Sequence, residues 1–185
     1  MSGMRYYAVN GVLLKGYHKV GGERYYFDEV TGENGGASKE IWNEIKRSKS
    51  KTKYLVSVSI KNHRVNVFTK KSGKWVIKYQ WKCITGMNDT TEKGEKFTPR
   101  GSWIINGKKL KYMSNKGHTC YLATNFYGGC FIHSELYAPE MTMKKIIDGK
   151  LGESRSSGCV RVQYKNAQWV YKNIKKGTRV ISRFA

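Results

Sequence analysis

A cysteine thiol and a histidine imidazole can together carry acyl transfer, the thiol as nucleophile and the ring as its base. The chain contains four of each: Cys83, Cys120, Cys130 and Cys159, with His18, His63, His118 and His133. Cys159 has the most reactive setting, Ser156-Ser157-Gly158-Cys159-Val160-Arg161. Gly158 lets the backbone turn sharply and leaves room for a substrate to approach the sulfur. Arg161, two residues on, shares a face with Cys159 in an extended segment, where it is expected to lower the thiol pKa and clamp a substrate carboxylate. Among the histidines, His18 lies in a repeat-like segment and His63 in a predicted turn, so both are expected at the surface. His118 follows Lys116-Gly117 in a loop and ranks second as a base. His133 ends the apolar run Cys130-Phe131-Ile132, where a strand would present it at a sheet edge or barrel mouth. The cysteines form no C-x-x-C pair, so no metal site is expected, and no cofactor. A Cys120–Cys130 bridge and buried free thiols both stay open for the remaining cysteines.

The elements that must hold these residues are mostly strands. From Tyr54 the apolar period is two, with Leu55, Ser57 and Ser59 opposing Val56, Val58 and Ile60. Turns at Asn62-His63 and Ser72-Gly73 lead into Val65-Asn66-Val67-Phe68 and Trp75-Val76-Ile77, a β-meander. Further strands are expected at 101–106, 120–126, 129–134 and 178–183, and helices at 139–149 and 165–176. Residues 37–50 predict another helix, with Ser38 as cap and Ile41, Trp42 and Ile45 on one face. The Ser-Lys-Ser-Lys-Thr-Lys stretch after it reads as a linker.

Nearer the start, Arg5-Tyr6-Tyr7 recurs as Arg24-Tyr25-Tyr26, with turn regions at Asn10-Gly11 and Thr31-Gly32. Aromatic pairs followed by glycine turns read as short stacked hairpins. This pattern resembles the cell-wall-binding repeats of Gram-positive surface proteins, with Tyr25-Tyr26-Phe27-Asp28 as its best match. With barely two copies present, Tyr17, Tyr25 and Tyr26 are expected to pack a truncated array.

His133-Ser134 followed by Ser156-Ser157-Gly158-Cys159-Val160-Arg161 resembles the L,D-transpeptidase catalytic domain (YkuD-type) family. The likeness extends upstream to the strand pair at 54–69, to Ile84-Thr85-Gly86 and to Thr98-Pro99-Arg100-Gly101, covering roughly residues 54–183. It implies a mainly β (α+β) catalytic domain, a β-barrel or sandwich with a few helices, preceded by the small β-hairpin repeat segment. The expected bounds are 1–36 for the partial repeats, 37–52 for helix and linker, and 53–185 for the catalytic domain. The resemblance also implies a mechanism. Cys159 attacks the carbonyl after the third residue of a peptidoglycan stem tetrapeptide and expels the terminal D-alanine. His133 is the base, the Ser134 carbonyl holds its tautomer, Gly158 and Cys159 N–H groups bind the oxyanion, and Arg161 and Ser157 meet substrate. An amine from a second stem then forms the cross-link, and carbapenems are expected to acylate the cysteine. Two departures stand out. Cys159 follows His133 by 26 positions (159 − 133), longer than the family's usual gap, and Ser157 stands where relatives often carry histidine.

Composition fits a folded protein that meets a polyanion or an anionic matrix; on charge alone nucleic acid is the default candidate, and phosphate-rich or carboxylate-rich cell-wall polymer satisfies the same physics. Hydrophobic residues at 39% and aromatics at 13% exclude a disordered tail, and 35 Lys+Arg against 13 Asp+Glu leave a net charge of +22. No acidic residue lies between Lys53 and Asn88 or after Glu153, which predicts a positive face. The expected partners are stem peptides and cell-wall polymer, at the surface of a Gram-positive bacterium, with no nucleic acid and no membrane span. Met1-Ser2-Gly3 does not open a signal peptide, so an expression fragment with its export signal trimmed is expected. The competing readings are an L,D-carboxypeptidase acting on the same bond, and a non-catalytic basic module binding cell wall or nucleic acid.

Overall fold

The computed structural model describes residues 6–21, 23–27, 32, 34, 39–90, 95–140 and 142–184. Two hairpins open the chain: β1 (Ala8–Val9) with β2 (Val12–Leu13), and β3 (Gly16–Val20) with β4 (Glu23–Phe27). Asn10 and Gly11 both have positive φ, 50° and 77°, the backbone that a tight two-residue hairpin turn requires. Phe27 is fully buried, with the rings of Tyr7, His18 and Tyr25 gathered 6.1 to 6.4 Å away. Tyr17, expected to pack, is 40% exposed. Arg5, Asp28, Thr31 and the Ser38 cap lie outside the described residues.

Helix α1 (Lys39–Arg47) precedes the meander β5 (Tyr54–Ser59), β6 (Arg64–Lys71) and β7 (Lys74–Lys82). Short strands β8 (Thr85–Gly86) and β9 (Gly101–Ile104) follow, then β10 (Lys109–Ser114), β11 (Thr119–Tyr127), β12 (Cys130–Ser134) and β13 (Leu136–Tyr137). The chain closes with β14 (Ile146–Asp148), β15 (Ser154–Ser156), β16 (Val160–Val162), helix α2 (Tyr164–Asn173) and β17 (Arg179–Arg183). One sheet has the order β7-β6-β5-β17-β9, and a second has β14-β13-β11-β12-β16 with β10 also paired to β11.

The alternation along β5 fixes how these layers stack. Val56 and Val58 enter a central core with Val65 and Val67, Ile132, Val160 and Val162, Val180 and the α2 residues Ala167, Val170 and Ile174. Leu55 points the other way, into a second core with Phe68, Trp75, Ile77 and Ile181, closed by Ile41, Trp42 and Ile45 of α1. Between those apolar positions runs a buried polar row. Asn66 Nδ2 donates to Ser57 Oγ at 3.1 Å, and Gln80 Nε2 donates to Asn66 Oδ1 at 3.1 Å and to the Asn34 carbonyl at 2.6 Å.

The helix expected at 139–149 does not form. Residues 146–148 join the sheet edge instead, pairing Tyr137 with Ile146 and Leu136 with Asp148. The Ala138 N–H donates to the Lys145 carbonyl at 2.9 Å, and Met143 has a left-handed φ of 57°. Two consecutive β-branched residues, Ile146 and Ile147, suit that edge, and strand pairing outweighs a weak helical pattern. Among the described residues, no helix is long and apolar enough to cross a membrane.

Candidate active site

Parallel pairing of β12 with β16 brings the two halves of the motif together. Ile132 faces Val160, His133 faces Arg161 and Ser134 faces Val162 across the ladder. Cys159 precedes β16 by one residue, and its Sγ accepts the Phe131 N–H at 3.4 Å. His133 and Cys159 line one cavity of about 230 Å³, together with Met113, Ser114, Asn115, His118, Cys120, Leu136, Ser157 and Arg161. The thiol and the imidazole share this cavity without a hydrogen bond between them, and such contacts commonly tighten only when substrate is bound.

His133 is 3% exposed. Its Nδ1 lies 2.7 Å from the Ser134 carbonyl oxygen. A carbonyl can only accept, so the proton sits on Nδ1 and Nε2 keeps its lone pair. Burial drives the ring's pKa down to about 4, against a partial opposing pull from the Ser134 hydrogen bond, with Arg161 and His118 lowering it further. The imidazole is therefore neutral at pH 7 and able to take a proton. Ser134 Oγ is also engaged, donating to the Glu135 carbonyl at 2.8 Å and accepting the Tyr121 N–H at 2.9 Å.

Arg161 was expected to depress the Cys159 pKa, and it pulls in that direction. Burial outweighs it and the Phe131 hydrogen bond, so the thiol pKa is raised. Cys159 and His133 thus rest as a neutral thiol–imidazole pair.

The turn carrying Cys159 is held from behind by the upstream motif pieces. Gly158 has φ of +111°, and a Cβ there would lie 2.8 Å from the Phe97 carbonyl oxygen and 3.3 Å from Cys130 Sγ. Phe97 and Thr98 are themselves fixed against β8, because Thr98 Oγ1 accepts the Gly86 N–H at 2.8 Å. β8 in turn pairs with β15 in parallel, Thr85 with Ser154 and Gly86 with Ser156. Asp89 Oδ1 receives the Thr98 N–H, and Arg100 donates to the Asp89 carbonyl.

The expected pair of oxyanion donors is reduced to one. Ser156 Oγ accepts the Gly158 N–H at 3.0 Å while donating to the Cys159 carbonyl at 2.6 Å, a clamp that the sequence motif did not single out. The Cys159 N–H is left as the candidate. Ser157 is exposed on the cavity wall.

Arg161 is 8% exposed and ion-paired, with Nη1 at 2.7 Å from Asp148 Oδ2. Asp148 comes from the long stretch between His133 and Cys159, and nothing in the sequence linked it to Arg161. His118 reaches the cavity wall from the β10–β11 connection, where Asn115 Oδ1 accepts the His118 and Gly117 N–H groups. His63 is half-buried, its Nδ1 at 3.0 Å from Thr85 Oγ1, and lies outside the cavity lining. All four cysteines are free, and Cys120 pairs with Met113 across the ladder while Cys130 pairs with Tyr127. Among the described residues, no group of three or more His, Cys, Asp or Glu side chains is arranged to hold a metal.

Fold and site together define a two-sheet β domain with an imidazole on one strand and a thiol just before the parallel strand beside it. Residues 53–181 match the model of the YkuD family, the L,D-transpeptidase catalytic domain, and the chain belongs to that family. A curated relative from Bacillus subtilis (strain 168), named "Putative L,D-transpeptidase YciB", is 24% identical over 130 residues, 68% of this chain and 63% of that protein. Among solved structures, a fused Zn-dependent amidase/peptidase/peptidoglycan-binding domain-containing protein from Clostridium acetobutylicum ATCC 824 is 25% identical with a TM-score of 0.58. That match covers 78% of this chain and 58% of the other. An L,D-transpeptidase from Xylanimonas cellulosilytica DSM 15894 shares the fold at 21% identity and a TM-score of 0.51, covering 74% and 62% of the two chains. The chain therefore spans less than two thirds of the length of these relatives.

Proposed function

We propose that the protein is a peptidoglycan L,D-transpeptidase acting through a thioester on Cys159. The observation that carries this reading is the neutral imidazole of His133, its tautomer held by the Ser134 carbonyl, in one cavity with the Cys159 thiol. Family membership supports the same chemistry. In the first half-reaction, His133 Nε2 takes the thiol proton as sulfur attacks the carbonyl of the third stem residue. The C–N bond to the terminal D-alanine breaks, and its amine leaves with the proton from His133. In the second, an amine from another stem attacks the thioester carbonyl and gives its proton to His133. The C–S bond breaks and the thiol re-forms. The Cys159 N–H stabilises the oxyanion in both halves, a contribution of about 3 kcal/mol for one well-placed donor.

The same reading implies work on the cell surface, with the net charge of +22 favouring an anionic wall. Purified tetrapeptide-stem muropeptide, incubated with the protein and analysed by mass spectrometry, tests it. Cross-linked dimers and a Cys159 acyl adduct that vanishes in Cys159→Ala are expected. Tripeptides without dimers would replace transfer by hydrolysis, the carboxypeptidase reading. The absence of both product and adduct would overturn an enzymatic role.

A further inference from the structure

Arg161 is a nearly buried cation on the wall of the reaction cavity, and its counter-charge comes from this chain. Asp148 Oδ2 takes Arg161 Nη1 at 2.7 Å, and Asp148 Oδ1 takes Arg155 Nε at 3.0 Å. The two side chains of the inner pair are only 10% and 17% exposed. Asp148 is positioned from both sides, by its strand pairing with Leu136 in β13 and by these two guanidinium groups. The pair ties the long excursion between His133 and Cys159 to the strand that follows the nucleophile.

This arrangement changes what Arg161 can do for a substrate. A free guanidinium at the cavity wall would attract a carboxylate. With Asp148 already on it, an entering carboxylate gains little attraction, meets the charge of Asp148, and still loses its hydration. His133 is held neutral beside it, so it supplies no compensating positive charge. An uncharged amide pays a much smaller desolvation cost and can still hydrogen-bond.

We propose that Asp148 is a specificity-determining residue, which neutralises Arg161 so that the cavity takes an uncharged group of the donor's third residue in place of a free carboxylate. This rests on the transpeptidase reading, in which the third residue supplies the carbonyl that Cys159 attacks and so lies against this cavity.

Two tetrapeptide donors test it, identical except that the side chain of the third residue ends in a free carboxylate or in the carboxamide. Acylation of Cys159 is followed by mass, and kcat/KM is measured for each donor. The native protein is expected to favour the amide. In Asp148→Asn the amide-to-acid ratio should fall about tenfold or more, the scale of one gained charge-assisted hydrogen bond. Asp148→Glu should keep the native preference. A native preference for the acid overturns the proposal, and that result stands even if Asp148→Asn does not fold. An equal loss with both donors in Asp148→Asn also overturns it, because a purely structural role predicts that outcome. Absence of any acyl adduct with either donor sinks the transpeptidase reading itself, and this proposal with it.

Discussion

Gly158 and His133 flank the proposed chemistry, and each makes a measurable demand. Gly158 combines a left-handed φ of +111° with a backbone oxygen 2.8 Å from the place a Cβ would occupy. Gly158→Ala must strain the turn or push Phe97 away, at a cost of about 1–3 kcal/mol for such a backbone position. Thermal denaturation should show the loss, and acylation of Cys159 should slow with it. His133 carries a pH signature. Its folded pKa of about 4 lies below the ordinary value of 6.5, so between those values the unfolded chain binds a proton that the native site refuses. Stability should therefore rise with pH from about 4 to 6.5, as should activity from its acid limb near 4. Denaturant titrations across that range, repeated on His133→Gln, check the sign: the variant should lose this part of the slope.

At the scale of elements, helix α1 forms where the apolar face of Ile41, Trp42 and Ile45 predicts it, and that face closes the second core against the meander. Trp42 packs edge-on against Phe68 with ring centroids 5.3 Å apart, and Ile41 and Ile45 are fully buried beside it. Trp42→Ala should cost about 3–5 kcal/mol in chemical denaturation, as large-to-small changes in a core do. The meander, α2 and the motif around Cys159 were legible because their signals are local: alternation in β5 and β6, a helical apolar face ending in Val170 and Ile174, a glycine before a cysteine. The edge strand β14 and the Asp148–Arg161 pair were not legible. Each depends on a partner from a distant part of the chain, which periodicity does not report. The Ser156 clamp sits in between, since its residue was inside the motif while its two hydrogen bonds needed coordinates.

For the molecule as a whole, charge and topology have separate consequences. With 35 Lys+Arg against 13 Asp+Glu, attraction to an anionic wall polymer should be long-ranged and weakened by salt. Binding to purified sacculi should fall steeply as salt rises, in native protein and in Cys159→Ala alike, since this affinity does not depend on the nucleophile. Salt-independent binding would assign retention to specific contacts.

The parallel ladder between β12 and β16 also bears on the order in which the protein becomes competent. Its register brings His133 opposite Arg161 across a gap that a hairpin turn cannot close. β17 against β5, likewise parallel, pairs residues from opposite ends of the main domain. The hairpins of β5, β6 and β7 need only short loops and can form early, whereas these non-local pairings must pay a large loop-closure entropy first. During refolding, amide protection in the meander should therefore precede the ability of Cys159 to be acylated. A newly made chain would pass through a period in which it is largely β-structured and chemically silent.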